Sequence, residues 1–340
     1  MKEFLTDIPL DSYKALVESV GMKPYAAGQL IQWLYQKRAG SFDEMTNLSK
    51  EVRGLLSEKY DIDALQIVDI QEASDGTKKY LCKAPDGECV ECVSIPADDG
   101  RCTICISTQV GCKMGCSFCR TGEMGYHRNL SQGEILSQLR LVMLGTEKQI
   151  TNIVLMGMGE PLDNYDAVSA AISIICDDKG FNMSKKRVTL SSAGLIPELD
   201  RFSEEYDVKI AISLNATTDE MRDSLMPINK KYPISEIVKF CRSYSHRSRN
   251  RITFEYVLIG GMNDSEQDAA RLVQLLKGIR AKVNIIPFNP FDKSDLRAPD
   301  ENTVTWWSEY LYNSGIQANI RQSRGQEILA ACGQLATKEG

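Results

Sequence analysis

Cys112-Lys113-Met114-Gly115-Cys116-Ser117-Phe118-Cys119 sets three thiols at CxxxCxxC spacing on one short stretch. Gly111 and Gly115 keep this stretch from continuing as a strand or helix, so it reads as a loop. Three thiolates on one loop can converge on a single soft metal centre. Zinc would need a fourth thiolate or imidazole, which Cys102 or Cys105 could supply. An iron–sulfur cube held by three cysteines would leave one iron open for a substrate. The spacing alone admits both. The remaining cysteines sharpen the point: of 11 in the chain, all but Cys176, Cys241 and Cys332 lie between Cys82 and Cys119. Core cysteines scatter, whereas clustered ones more often bind metal or do redox chemistry.

Just before this loop, Thr103–Ser107 is apolar and β-branched, the first of a series. Asn152–Met156, Arg187–Ser191, Lys209–Leu214, Ile252–Val257, Val283–Pro287 and Ile316–Arg321 read as further strands. Between them lie amphipathic stretches at 131–144, 164–176, 195–205, 233–244, 264–278 and 302–313. Strands alternating with helices predict a parallel sheet or βα barrel. Ser131-Gln132-Gly133-Glu134 is a capping box that starts the first of those helices. Upstream, residues 64 to 107 change period, with Asp75-Gly76, Asp86-Gly87 and Asp99-Gly100 marking tight turns between strands. Residues 1 to about 60 read as short helices broken at Gly21 and Gly40. The expected organisation is a helical accessory domain at 1–62, a β-hairpin or strand linker at 63–101, a barrel at 102–322 and a C-terminal segment at 323–340.

Composition bounds the function classes. The 340 residues are 43% hydrophobic and 25% charged, a globular balance that excludes disorder, collagen and a small disulfide scaffold for the whole chain. No apolar run approaches the roughly 18 residues of a membrane span. The acids Glu3, Asp7 and Asp11 near the N-terminus leave no signal-peptide pattern, so the expected location is the cytoplasm. The net charge of −6 argues against nonspecific nucleic-acid binding but leaves room for a local basic patch.

A second motif follows the second strand of the barrel series. Ile153-Val154-Leu155-Met156-Gly157-Met158-Gly159-Glu160-Pro161-Leu162 reads as a buried strand that ends in a glycine-rich turn, with Glu160 offering a carboxylate for an ammonium group. Together with CxxxCxxC, and with Phe118 before its third cysteine, this resembles the radical S-adenosylmethionine (SAM) superfamily. Further motifs occur in order: Cys105-Ile-Ser-Thr-Gln-Val-Gly-Cys112, Gly125-Tyr126-His127-Arg128-Asn129-Leu130, GMGEPLDN at 157–164, Asn229-Lys230-Lys231, Pro287-Phe288-Asn289-Pro290-Phe291, and Arg324-Gly325 followed by Ala331-Cys332-Gly333-Gln334. Over nearly its whole length the chain is similar to the bacterial dual-specificity RNA adenosine-C2 methyltransferases. A sister group that methylates C8 of the same rRNA adenosine, and confers antibiotic resistance, typically has Ala where this chain has Pro161.

That resemblance implies an α/β fold: a partial (β/α)6 radical SAM barrel with an N-terminal helical accessory domain and a short β-hairpin extension. It implies one [4Fe-4S] cluster on Cys112, Cys116 and Cys119, and two SAM molecules consumed per turnover. SAM would be bound at Phe118, Gly159, Glu160, Ser191, Ser213, Leu214, Asn215 and Asn289. Many relatives carry His where this chain has Asn215. The implied targets are adenosine 2503 of 23S rRNA and adenosine 37 of certain tRNAs. C2 of adenine is electron-poor and cannot attack the SAM methyl group directly. The family route therefore methylates Cys332, removes a hydrogen with a 5′-deoxyadenosyl radical, joins the carbon to C2, and frees the RNA when Cys105 attacks the Cys332 sulfur, leaving a transient disulfide. Glu91, or Cys105, would take the C2 proton. An electron donor such as flavodoxin or ferredoxin, no membrane partner and a monomeric state complete the expectation.

Read without the resemblance, several of these residues are ordinary. Cys332 would be a small buried hydrophobe and Cys105 an inward strand residue. Cys82, Cys89, Cys92 and Cys102 read as structural, although Cys89-Val90-Glu91-Cys92 is a CxxC. Basic clusters at Lys185-Lys186-Arg187, Lys230-Lys231 and Arg242 to Arg251 could meet RNA phosphates or simply face solvent. The competing reading of another class is a zinc-stabilised RNA-binding protein without catalysis.

Overall fold

In the computed structural model, which describes residues 2–146, 148–292 and 294–337, one ten-stranded sheet organises the chain. The N-terminal part comes first: β1 (Glu3–Phe4) pairs in parallel with β2 (Tyr60–Asp61), enclosing α1 (Tyr13–Ser19), α2 (Ala26–Ile31, prolonged by a wider turn through Gln36) and α3 (Lys50–Lys59). Leu5, Tyr13, Val17, Leu30 and Leu34 fill its small core. Three antiparallel strands follow: β3 (Gln66–Glu72), β4 (Lys78–Lys83) and β5 (Cys89–Pro96). All three Asp-Gly pairs turn as expected. Each aspartate accepts the N–H two residues on, at 2.9, 3.1 and 3.2 Å, and each glycine takes a left-handed φ of 78°, 93° or 83°, the construction that tight Asp-Gly turns favour.

The third turn hands the chain to β6 (Cys102–Cys105), where pairing changes from antiparallel to parallel. A small ribbon of β7 (Gln109–Gly111) and β8 (Tyr126–Asn129) flanks the short helix α4 (Arg120–Glu123). Then come α5 (Gln132–Leu144), β9 (Asn152–Leu155), α6 (Tyr165–Cys176), β10 (Val188–Ser192), α7 (Ile196–Glu205), β11 (Lys209–Ser213), α8 (Asp219–Leu225), α9 (Ile234–Arg247), β12 (Ile252–Leu258), α10 (Glu266–Leu276), β13 (Ala281–Pro287), α11 (Glu301–Asn313) and β14 (Gln317–Ile320). The parallel strands lie in chain order, β6-β9-β10-β11-β12-β13-β14. Sequential order without reversal keeps right-handed crossovers on one side of the sheet and curls it into a barrel. The sheet stays open between β14 and the β6 side, so the expected partial barrel stands, and β3 to β5 extend its first edge. The seven strands and six long helices read from sequence sit within a few residues of their observed ends. Helix α8 and the β7–β8 ribbon were not anticipated, because seven and three to four residues are too short to show a period.

Helix α5 joins the two parts. Ser131 and Glu134 form the expected capping box. Arg140 is fully buried; it pairs with Asp63 at 2.8 Å and donates to the carbonyls of Leu34 and Ala39. Gln132 donates to the Thr6 carbonyl at 2.9 Å, and the Gly133 N–H meets Asp7 at 2.6 Å. A buried arginine whose three nitrogens each find an acceptor fixes orientation as well as contact. Among the described residues no helix is long and apolar enough to cross a membrane.

Candidate active site

At the C-terminal ends of the parallel strands, where barrel ligands bind, an inner cavity of about 170 Å³ opens. Its walls include Cys112, Cys116, Cys119, Phe118, Gly159, Glu160, Ser191, Ser213 and Asn215. Strand alternation explains the set: one residue in two faces inward, so Ser191, Ser213 and Glu255 line the cavity while Leu190, Ile212 and Phe254 are buried in the apolar core.

The cysteine loop is held by its backbone. The Cys112 N–H meets the Gly125 carbonyl at 2.8 Å, Ser117 N–H reaches Leu225 O at 3.1 Å, and Cys119 N–H closes on Cys116 O at 3.1 Å. Burial is the main influence on all three thiols and pushes them upward, Cys112 to about 12. Such thiols stay protonated without a cation and ionise on binding one. Among the described residues no three Cys, His, Asp or Glu side chains draw together at the spacing of a single ion. Three thiols bordering one space, with the glycine-rich turn opposite, suit a cluster of several irons with one open corner. Cys105 and Cys102 do not line this inner cavity, so neither is placed as a fourth ligand.

Gly159 adopts φ 98°, and a Cβ there would press into Gln109, so only glycine brings this turn so close to the cavity. Glu160 is buried. Its carboxylate accepts the N–H of Leu162 at 3.1 Å and of Ala193 at 2.7 Å, tying the turns after β9 and β10 together. Burial raises it to about 7 against those hydrogen bonds. Asn215 sits at φ 57°, a backbone region that asparagine tolerates better than most residues. Its side chain accepts from the Val257 N–H at 2.8 Å and donates to the Met226 sulfur at 3.2 Å, so it faces the cavity while bracing it.

Cys332 reaches this place from the far end of the sequence. Helix α4 receives its segment: Arg120 N–H bonds Gly333 O at 2.8 Å, the Arg120 guanidinium bonds Gln334 O at 3.1 Å, and the Thr121 hydroxyl bonds Leu335 O at 2.6 Å. Asn289 donates to the Cys332 carbonyl at 3.1 Å and accepts from Gln326 at 2.9 Å. Cys332 is exposed on the walls of two cavities, where desolvation raises its thiol and the Arg321 guanidinium pulls it back. It lines the inner cavity and also a second one of about 380 Å³. This outer cavity runs along alternate residues of β6, β9 and β10 to Lys209 and is lined by Cys105, whose thiol burial pushes up to about 12.

Not every candidate lines the cavity. Leu214 is buried, and its backbone bonds Glu255 O and the Arg222 side chain. Asn289 borders the outer cavity rather than the inner one. The Glu91 carboxylate pairs with Lys79 at 2.9 Å and accepts the Ala336 N–H at 3.0 Å, bordering neither cavity. Cys82 and Cys92 are buried with sulfurs 4.0 Å apart, away from both. Sequence reading missed Arg222, fully buried, which donates to the carbonyls of Ala193, Ser213 and Leu214 at 2.7, 3.1 and 3.0 Å. It ties together the turns that carry Ser191, Ser213 and Asn215, and nothing in a lone arginine on a short helix announces that. Arg321 and Glu255 were missed for the same reason. Of the basic clusters, Arg247 is neutralised by Asp200 and Glu204, whereas Lys185-Lys186-Arg187 lies exposed before β10.

Two family models match. The radical SAM superfamily covers residues 106–273, and the ribosomal RNA large subunit methyltransferase N-terminal domain covers 4–62. Dual-specificity RNA methyltransferase RlmN of Syntrophotalea carbinolica is 46% identical, over 98% of this chain and 90% of that protein. RlmN of Desulfosudis oleivorans is 49% identical, over 92% and 85%. The crystal structure of a radical SAM methyltransferase from Sphaerobacter thermophilus superposes with a TM-score of 0.93 at 40% identity, covering 98% of this chain and 99% of that one. With its cysteine loop, its glycine-rich turn and its accessory domain each matched, the chain belongs to the RlmN family of radical SAM RNA methyltransferases.

Proposed function

We propose that this chain methylates C2 of adenosine in 23S rRNA and in tRNA. One observation carries the reading: Cys332 borders both cavities, and Cys105 borders the outer one with it. A thiol between a cofactor cavity and a substrate cavity suits a residue that takes a carbon from one side and delivers it to the other.

The family's cofactors are a [4Fe-4S] cluster and SAM; Cys112, Cys116 and Cys119 would hold the cluster. When bound, the cluster supplies with SAM a carbon radical able to take hydrogen from an S-methyl group. The residues do the rest. Cys332, as thiolate, accepts a methyl group. Glu160, Ser191, Ser213 and Asn215, which line the inner cavity, would hold SAM, and the Glu160 carboxylate would suit its amino group. When the Cys332 carbon is joined to C2, one electron passes back to the redox partner and Cys105, as thiolate, takes the C2 proton. The Cys105 sulfur then attacks the Cys332 sulfur while that proton goes to the departing carbon, so that S–S forms, S–CH2 breaks and the RNA leaves with a methyl group. Glu91, bonded to Lys79 and Ala336, suits the anchoring of the C-terminal segment better than proton transfer, so Cys105 is the better candidate base.

Mass spectrometry of nucleosides from a deletion strain tests the reading. Loss of 2-methyladenosine from both rRNA and tRNA is expected. Its retention in both sinks the proposal, and loss of 8-methyladenosine instead would assign the C8 reaction, against the Pro161 signature.

A further inference from the structure

The outer cavity carries more positive charge than chemistry at its sulfur end accounts for. Among the described residues its walls include Arg101, Arg187, Lys209, Arg321 and Arg324 and no aspartate or glutamate, in a chain of net charge −6. These cations differ in what they face. Arg321 stands by Cys332. Arg101 and Arg324 pair with the exposed Asp99 and Asp98 at 2.7 and 3.5 Å. Arg187 and Lys209 stand at the opposite end of the cavity, where β10 and β11 begin. The strands pair Thr189 with Lys209, which puts Arg187, two residues before Thr189, on the same face as Lys209 and diagonal to it. Arg187 makes a side-chain bond to a neutral partner, Asn152 Oδ1, at 3.3 Å. Partial enclosure, then the nearby cations Lys282 and Arg187, hold the Lys209 ammonium below its ordinary value.

Like charges kept close without acids are costly alone and favourable toward an incoming anion. From Lys209 to Ser213, β11 runs four residue steps, about 13 Å at 3.3 Å per residue. Cations at the strand-start end and the reactive sulfurs at the other therefore frame one space along the inward faces of β6, β9, β10 and β11. A volume near 380 Å³ falls within the range of small-molecule sites, large enough for a single unstacked nucleotide.

We propose that Arg187 and Lys209 form a phosphate subsite at the strand-start end of this cavity, gripping the RNA backbone beside the nucleotide presented to Cys105 and Cys332. This rests on the RNA-methylating function proposed above and adds a direction to it: RNA lies across the strand-start end of the barrel, its backbone against the beginnings of β10 and β11. The grip is to phosphate and so is indifferent to base identity.

The test is fluorescence anisotropy of a fluorescein-labelled RNA hairpin with an unpaired loop adenosine, titrated with iron-loaded protein at several salt concentrations from roughly 50 to 200 mM. Arg187→Gln/Lys209→Gln should weaken binding about tenfold at the lowest salt and flatten the log Kd against log salt slope by about 1.5, as loss of two phosphate contacts requires. Replacing the loop adenosine by uridine should leave that factor unchanged. Arg187→Lys/Lys209→Arg should recover most of the affinity. Each single variant should flatten the slope by about half as much, which keeps the test valid if the double variant folds poorly. A double variant with wild-type affinity and slope overturns the subsite while leaving the proposed function standing. Wild-type protein that carries iron but binds no hairpin overturns both.

Discussion

The loop holding Cys112, Cys116 and Cys119 and the segment holding Cys332 meet at one cavity by opposite means. The loop is local: its three thiols lie within one turn of chain, held by backbone bonds to Gly125 and Leu225 and among themselves. The segment is remote: its position depends on Arg120, Thr121 and Asn289, each reaching it across 43 residues or more. A local motif keeps its geometry when its neighbours change, whereas a docked segment depends on every contact that seats it. The loop should therefore govern whether the cofactor is present, and the segment whether the cofactor's chemistry reaches RNA.

The sharpest way to break this contrast is a pair of substitutions. Cys112→Ser should take iron from about four per chain to nearly none and abolish methylation, since a hydroxyl is a poor ligand for a soft centre. Cys332→Ala should abolish methylation equally while iron and the visible absorption band stay at wild-type values. Iron assay beside a tritiated-methyl transfer assay reads both; loss of iron in Cys332→Ala would mean that the segment also builds the cofactor site. Next in size is Cys105→Ala, which removes the thiol that shares the outer cavity with Cys332. Release of RNA should stop after the first turnover, leaving a covalent protein–RNA species on a denaturing gel. Multiple turnover with freely released product would remove Cys105 from the resolving role.

Glu160 belongs to the cofactor side of the comparison, and its effect is smaller and pH-dependent. Its carboxyl is raised to about 7 by burial, so the folded protein without ligand favours the neutral form. The sign follows: the stability this proton gives is fully present below the unfolded value near 4.3 and is lost as pH climbs through 7. A ligand amino group prefers the ionised form. Affinity for S-adenosylhomocysteine, followed by calorimetry, should thus rise several-fold between about pH 6 and pH 7.5 as Glu160 ionises, and Glu160→Gln should flatten that rise. A wild-type profile already flat over this interval would leave Glu160 only its bonds to Leu162 and Ala193.

The same contrast decides what could be read from the chain alone. The barrel was legible because its strands are continuous apolar runs between helices of clear period, and the cysteine loop because ligand spacing is itself a sequence feature. The Asp-Gly turns and the capping box were legible for the same reason: each is complete within four residues. Cys332, Cys105 and, apart from the glycine-rich turn with Glu160, the proposed SAM-binding residues were reached only through family resemblance, since nothing local separates Cys332 from a core cysteine. Arg222, Arg321 and Glu255 were not reached at all. Arg222 acts through carbonyls on two other strand ends, and a contact of that kind leaves no mark in the pattern around either partner. The Glu91 position shows the limit of resemblance too: its carboxylate is bonded to Lys79 and to the Ala336 N–H, a pairing no motif contains.

The smallest expected effect tests how the segment is seated. Thr121 is buried, and its hydroxyl donates to Leu335 O at 2.6 Å. Thr121→Val keeps the shape and removes the donor, which leaves a buried carbonyl without that partner and costs about 1–2 kcal/mol locally. Helix α4 and the cysteine loop keep their own backbone bonds, so iron content should not change. The segment, still held by Arg120 and Asn289, should spend more time displaced. Methyl transfer should fall about three- to tenfold, and Cys332 should react correspondingly faster with iodoacetamide, because displacement relieves the desolvation that holds its thiol up. Faster alkylation with unchanged iron would place the loss in the docked segment. Unchanged alkylation together with lost iron would reverse the contrast, making the segment part of what holds the cofactor loop in shape.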